Sequence, residues 1–173
     1  MTRFISAGIA GVLMLALTGC DSSSPTAPTN TAIFVATLSP ANEVPAIINA
    51  ESSGTGGATI SMYLTRDNAG VLTNVTMDFQ ANLAGFPPGT TLQMAHIHRG
   101  VVGQVGPIVV DTGLSLGDQI VLATGTGGFT KLGIAIPTDL AQEILNAPST
   151  FYFNVHSILN PNGVARGQLI RQQ

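Results

Sequence analysis

The chain has 173 residues, only 9% of which are charged, and its formal net charge at pH 7 is −3. This low, slightly acidic charge argues against nucleic acid as a partner, because a nucleic-acid-binding surface needs a basic patch. Tryptophan is absent and aromatic residues make up 5% of the chain, which argues against a carbohydrate platform of stacked rings. Abundant, scattered glycine and proline are typical of many short strands joined by tight turns.

Residues 1–19 predict a secretory signal peptide. Arg3 precedes an uncharged apolar run from Phe4 to Leu17, which is too short to be a confident transmembrane helix. The run leads into Leu17–Cys20, which resembles the lipobox of bacterial lipoproteins, whose cysteine is lipidated and becomes the mature N-terminus. Cys20 is the single cysteine of the chain, so we expect it to be a lipid anchor. The alternative is an ordinary signal peptide with an incidental cysteine.

Residues 20–30 are rich in Ser, Thr and Pro and predict a lipidated, flexible tether ahead of one folded domain at residues 31–173. Together these features place the protein in the bacterial cell envelope, attached to a membrane through its N-terminal lipid.

The pattern of the remaining chain predicts an all-β, antiparallel β-sandwich. Residues 58–65 and 75–83 alternate between apolar and polar side chains, as half-buried strands do, and residues 66–70 between them have turn chemistry. Many short strands at regular spacing are typical of a sandwich. The further predicted strands are Ile33–Leu38, Leu92–His98, Pro107–Asp111, Ile120–Ala123, Leu132–Ile136, Phe151–His156 and Val164–Ile170.

A single short helix is predicted over Asp139–Leu145. Asp139 and Gln142 have the spacing of a capping box, so we expect Asp139 to cap the helix. Leu140 and Ile144 form an apolar pair at i, i+4, so we expect this side of the helix to pack against the sandwich.

The three histidines of the chain fall in two of the predicted strands. His96 and His98 are spaced i, i+2 and therefore project from the same face of one strand. His156 lies on the more polar face of a later strand, so three imidazoles meet if the two strands are neighbours. Because neutral imidazole is a common ligand of copper and zinc, we expect His96, His98 and His156 to bind one such ion. The alternative is that the histidines are structural and hydrogen-bond the backbone or each other.

Three further residues are candidates for supporting this site. Strict alternation places Met94 on the face of Leu92 and His96, where its thioether is a possible axial copper ligand, although core packing is its more ordinary role. Arg99 and Arg166 are candidates for a guiding or supporting cation, and each is also explained as a surface or structural arginine. The sequence holds no nucleophile-elbow or phosphate-loop motif, so it assigns no catalytic residue and leaves open whether the protein is an enzyme.

Five segments taken together in this order resemble the CHRD domain, which is named for its occurrence in chordin and is found widely in secreted bacterial proteins. The resemblance covers most of the mature chain. One position departs from it, because Val164 stands where the closing motif of the family usually carries glutamate. The segments are Leu38–Pro45, Gly54–Gly56, Ala95–Gly100 with Gly106–Val109, Phe151–His156 and Pro161–Leu169.

The resemblance implies a fold and an exported location more than an activity. A more distant likeness is to copper–zinc superoxide dismutase, which also has a His-x-His strand followed by a glycine-rich loop. This likeness implies a Greek-key sandwich, of superoxide-dismutase or immunoglobulin type, with too few histidines for both metal sites of that enzyme. The leading hypothesis is a lipid-anchored envelope protein that binds one metal ion. The alternatives are a non-catalytic module that binds an envelope or matrix protein and an oxidoreductase acting on superoxide.

Overall fold

A computed structural model describes residues 30–173. The predicted signal peptide, Cys20 and the tether up to Thr29 lie outside the described residues, and Asn30 is the first residue of the first strand. Two short 3-10 turns, at Pro40–Asn42 and Pro148–Thr150, accompany the main elements. Those elements are β1 (Asn30–Leu38), β2 (Thr55–Arg66), β3 (Leu72–Ala84), β4 (Thr90–Arg99), β5 (Ile108–Asp111), β6 (Ile120–Leu122), β7 (Gly127–Ala135), α1 (Thr138–Asn146), β8 (Phe151–Ser157), β9 (Ala165–Gln168) and β10 (Ile170–Arg171).

The strands form two antiparallel sheets, which confirms the predicted all-β fold. The first sheet has the order β10-β1-β2-β3-β7. The second has the order β5-β4-β8-β9, with β6 pairing with the other half of β4 on the same edge. The chain enters the second sheet at β4, returns to the first at β7 and leaves it again for β8. Sheet changes of this kind bring β4 and β8 together although more than fifty residues separate them in the sequence.

The hydrophobic core lies between the two sheets and follows the period-2 pattern of the sequence. The predicted hairpin is present, since β2 pairs with β3 in a register that places Ile60 opposite Phe79. Both side chains are buried in the core. Phe79 stacks on Phe153 of β8, with ring centroids 5.9 Å apart, and so joins the two sheets. Burial of these apolar faces is the main source of stability for a sandwich of this size.

The end of the chain belongs to both sheets, and the single strand predicted over Val164–Ile170 is wrong. β9 pairs with β8 in the second sheet, whereas β10 pairs with β1 in the first. The two strands are separate because buried Leu169 lies between them where the chain crosses over. Gly167 makes the crossing possible, since a Cβ atom at this position would collide with the carbonyl of Thr37 in β1.

The helix α1 is present, but its predicted capping box is wrong. The helix begins one residue earlier than expected, so that Pro137 occupies the N-cap position and Asp139 lies inside the first turn. Gln142 donates a hydrogen bond to Asn146 instead of reaching back to the cap. The predicted apolar pair of the helix is buried, as expected. Neither α1 nor any other helix within residues 30–173 is long and apolar enough to cross a membrane.

The stacked pair between the sheets gives the first prediction. Phe153→Ala removes a fully buried ring and leaves a cavity, so we expect the free energy of unfolding to fall by about 3–5 kcal/mol. Val121→Ala on β6, where the side chain is 60% exposed, should change it by no more than about 0.5 kcal/mol. Urea denaturation followed by circular dichroism measures both. Equal effects of the two substitutions would show that the core is not where we place it.

Candidate metal centre

The pairing of β4 with β8 places all three histidines on one face of the second sheet. In this register Met94 lies opposite His156, His96 opposite Asn154 and His98 opposite Tyr152. The alternate residues of both strands, Ala95, Ile97, Phe153 and Val155, belong to the core. The histidines therefore project from the opposite face, away from the first sheet.

One residue of β4 departs from the predicted alternation. A bulge between Leu92 and Met94 inserts Gln93 as an extra residue in the ladder. Leu92 consequently belongs to the hydrophobic core, and its predicted place on the face of Met94 and His96 is wrong. With this bulge, His96 and His98 of β4 project from the same face of the sheet as His156.

The three imidazoles meet, as expected if their two strands are neighbours. One ring nitrogen from each histidine lies within 4.8 Å of the other two. His96 Nδ1 and His156 Nε2 are 3.1 Å apart. The side chains are nearly closed to solvent, with 4% of His96, 8% of His98 and 4% of His156 exposed. The arrangement is a compact cluster of ring nitrogens that could hold a metal ion.

Three loops cover this face of the sheet and account for the burial of the cluster. In the β4–β5 loop, the carbonyl of Gly106 lies 3.0 Å from His98 Nδ1. In the β8–β9 loop, the carbonyl of Pro161 lies 3.0 Å from His156 Nδ1. The β1–β2 loop is held in place by Glu51, whose carboxylate accepts hydrogen bonds of 2.5 Å from the side chains of Ser157 and Asn160.

These carbonyl contacts fix the protonation of two rings. A carbonyl oxygen only accepts hydrogen bonds, so Nδ1 of His98 and Nδ1 of His156 each carry the proton. Their Nε2 atoms therefore present lone pairs. His98 Nε2 is buried and has no hydrogen-bond partner among the residues that the structure describes. The third ring, His96, offers Nδ1 to the cluster while its Nε2 lies 3.9 Å from Asp111 Oδ1.

Burial keeps the three rings neutral, which is the form that coordinates metal ions. Burial and, to a smaller extent, the neighbouring histidines together lower the pKa of His156 to about 4, against the opposing effect of the hydrogen bond to Pro161. Burial also lowers the pKa of His96, although Asp111 opposes it. The pKa of His98 is lowered mainly by burial and in part by the charge of Arg166.

The other predicted site residues lie at different distances from the cluster. Met94 is half-buried and lies directly across the ladder from His156. Arg166 is buried on β9, opposite Asn154 in the register. Arg99 is exposed and pairs with Glu143 of α1 at 2.6 Å, so it takes no part in the cluster.

Sequence reasoning missed three residues around the histidines. Asp111 lies opposite His96, because β5 pairs with β4 in this register. The sequence pattern did not predict this pairing. The ring of Tyr152 stacks on His98 with centroids 4.9 Å apart, and the guanidinium of Arg166 lies 4.5 Å from the centre of the same tyrosine. Glu43 lies in a loop that covers the sheet and is buried. Glu43 is recognised by its burial in the structure, which is unusual for an acid in a chain with so few charges.

The sequence model of the CHRD domain matches residues 34–169, which span the chain from β1 to Leu169. The protein belongs to the CHRD domain family. All three histidines, together with Glu43 and Arg166, fall inside the matched CHRD domain. Val164, which departs from the usual motif, is fully buried in the core. No curated protein and no solved structure is significantly similar to the chain.

The lowered pKa of His156 gives the second prediction. Between pH 6.5 and about 4 the unfolded chain binds a proton at this position and the folded chain does not, so stability falls as pH falls through this window. The wild type in chelator should lose about 3 kcal/mol of unfolding free energy between pH 7 and pH 4 through His156. Urea denaturation of His156→Gln at both pH values supplies the reference, because Glu43 titrates in both proteins. An identical loss in the two proteins would contradict the prediction.

Proposed function

We propose that the protein binds one transition-metal ion through Nδ1 of His96 and Nε2 of His98 and His156. The observation that carries the proposal is the convergence of three buried ring nitrogens within 4.8 Å of one another. Three imidazoles around one ion, with a position left open, are a common arrangement for zinc and copper. We assign no catalytic step to this arrangement.

The spacing of the nitrogens supports coordination. Nitrogen ligands about 2.0–2.1 Å from a tetrahedral ion are about 3.3 Å from each other. His96 Nδ1 and His156 Nε2 are already 3.1 Å apart. The largest separation in the cluster, 4.8 Å, closes to this value with about 1.5 Å of side-chain movement. The ligand set is therefore nearly formed by the fold.

The oxygen atoms near the second nitrogen of each imidazole also support metal coordination. Histidine ligands usually donate their second N–H to a carbonyl or carboxylate, which orients the ring and raises its basicity. Gly106 and Pro161 supply such carbonyls to His98 and His156. When His96 coordinates through Nδ1, its proton resides on Nε2 and faces Asp111. Two of the three rings thus have a hydrogen-bonded acceptor suited to a metal-bound histidine, and the third has a carboxylate 3.9 Å away.

The donor set favours copper(II) over zinc. Sites of nitrogen ligands bind copper(II) more tightly than zinc in the usual order of affinities. Met94, across the ladder from His156, is a soft donor on the same face, and it suits copper better than zinc. Catalysis of superoxide conversion is less favoured than binding, because the three rings are almost closed to solvent.

The third prediction concerns the ion. Isothermal titration calorimetry of the purified chain should show one copper(II) bound per chain and weaker binding of zinc. His96→Ala, His98→Ala and His156→Ala should each weaken copper affinity by about 100-fold or more. Removing a residue that only hydrogen-bonds a metal ligand costs about 10–100-fold, and removing the ligand itself costs more. Arg99→Ala is the matched control, because Arg99 is next to His98 in sequence and is paired with Glu143.

Two results would contradict the metal proposal. The first is a wild-type chain that binds neither copper nor zinc in a fixed ratio. The second is a set of alanine variants that bind copper as tightly as Arg99→Ala does. Either result would mean that the histidines serve only to hold the loops on the sheet.

We further propose that the chain is exported and anchored to a membrane of the bacterial envelope through lipid on Cys20. The support is the short apolar run before this single cysteine and the polar segment after it. Lipid contributes about 0.8 kcal/mol of membrane affinity for each buried methylene. The folded domain would then hang from the membrane by the predicted tether.

The fourth prediction tests the anchor. Cys20→Ser should release the protein from the membrane fraction, because serine does not accept the lipid. Fractionation of cells that produce the wild type, Cys20→Ser and the control Ser22→Ala, followed by immunoblotting, measures the distribution. If Cys20→Ser is processed and still sediments with membranes, the lipid is not the anchor.

A second candidate function is a non-catalytic module that binds an envelope or matrix protein. The loops over the histidine cluster carry exposed apolar side chains, which a partner could cover. These side chains are Ile48, Val101, Val102, Val105 and Leu159. This function and metal binding use different atoms of the same loops, so both can hold for one protein.

A further inference from the structure

A buried acid and a buried base lie beside the histidine cluster and line one cavity. Glu43 is 8% exposed and Arg166 is 3% exposed. The cavity has a volume of about 260 Å³ and lies between residues 41–44, residues 102–103 and strand β9. None of the three histidines lines it, so it is separate from the proposed metal centre.

The two charges share the cavity without pairing. Within the described residues, Glu43 and Arg166 form no ion pair at 4 Å or less. Glu43 Oε1 is also buried, and it has no hydrogen-bond partner within residues 30–173. Each charge therefore lacks a close partner of opposite sign.

The guanidinium is held by neutral groups. Arg166 Nε donates to the carbonyl of Asn42 at 2.6 Å, and Nη1 donates to the carbonyl of Gln104 at 2.8 Å. Its plane packs over Tyr152. Nη2 makes no hydrogen bond to residues 30–173. Arg166 is thus fixed in orientation, with one nitrogen left to bind an acceptor.

Glu43 is packed closely against the backbone of Gly163. Gly163, with φ of +133°, passes so close that a Cβ there would lie 2.9 Å from both carboxylate oxygens and 2.5 Å from Asn154 Nδ2. Only glycine fits between these groups. Burial raises the pKa of Glu43 to about 7, against the opposing charge of Arg166. A carboxylate without a partner in such a place costs free energy that a bound cation or donor would recover.

We propose that the cavity binds a small zwitterion, an α-amino acid with a short apolar side chain. Its carboxylate bonds to the guanidinium of Arg166 and its ammonium to the carboxylate of Glu43, so that the two ligand charges neutralise the two protein charges. Val44 and Val102 line the same cavity and supply apolar contacts for the side chain. A simple anion would be repelled by Glu43 and a simple cation by Arg166, so the cavity disfavours ligands with a single charge.

The test is a titration of the purified full-length chain with L-alanine, with acetate and ethylammonium as single-charge probes. We expect alanine to bind in a one-to-one ratio and each single-charge probe to bind at least about tenfold more weakly. Backbone amide shifts should change at Gly103 and Gly167, which border the cavity. Copper titration of the same samples reports on the histidine cluster separately, so a failure of either proposal is seen by itself.

Variants separate binding from folding. Glu43→Gln keeps the shape of the side chain and removes its charge, and it should weaken alanine binding by about tenfold or more while copper affinity stays at the wild-type value. Glu143→Gln is the matched control, because Glu143 lies on α1 and does not line the cavity. Absence of alanine binding overturns the proposal. Acetate binding as tight as alanine binding, or equal alanine affinity in Glu43→Gln and Glu143→Gln, does so as well.

Discussion

The antiparallel pairing of β4 with β8 is the constraint on which the rest of the site depends. Its register sets His156 opposite Met94 and diagonal to His96, and the pleat sends all three histidines to one face. A shift of β8 by one residue would turn His156 into the hydrophobic core and expose the apolar side chains of β8. The phenylalanine contact between the sheets therefore protects the cluster indirectly, because it fixes which face of β8 is inside.

The outer face of this sheet is unusual for an antiparallel sandwich, where one face normally meets water. Here three loops cover it, and the groups beneath them include the buried polar atoms that have no partner in residues 30–173, namely Glu43 Oε1, His98 Nε2 and Asn154 Oδ1. Native proteins leave few such atoms, and those they leave tend to mark functional sites. Concentration of all three on one covered face supports a role in holding ligands rather than in stabilising the fold.

Much of the fold follows from the sequence because alternation reports burial directly, as in β2 and β3. The approach of the histidines was also predictable, but only on the condition that their strands are neighbours, which no local pattern reveals. The bulge at Gln93 and the division between β9 and β10 depend on contacts with other strands, so alternation alone misplaced Leu92 and joined the two last strands. Glu43 was missed because a loop residue carries no periodicity, and its burial exists only after the loop folds over the sheet.

The crossing at Gly167 has a consequence for the order of assembly. A ribosome delivers the chain from its N-terminus, and the bridge between Ser39 and Arg166 unites residues from opposite ends of the domain. The segment from Ser39 to Glu43 therefore gains its contacts with Arg166 only after β9 has emerged. Contacts at such long separation form late and slowly. A chain shortened before β9 would therefore keep the three histidines but lose the buried Arg166 and its hydrogen bonds to Asn42 and Gln104.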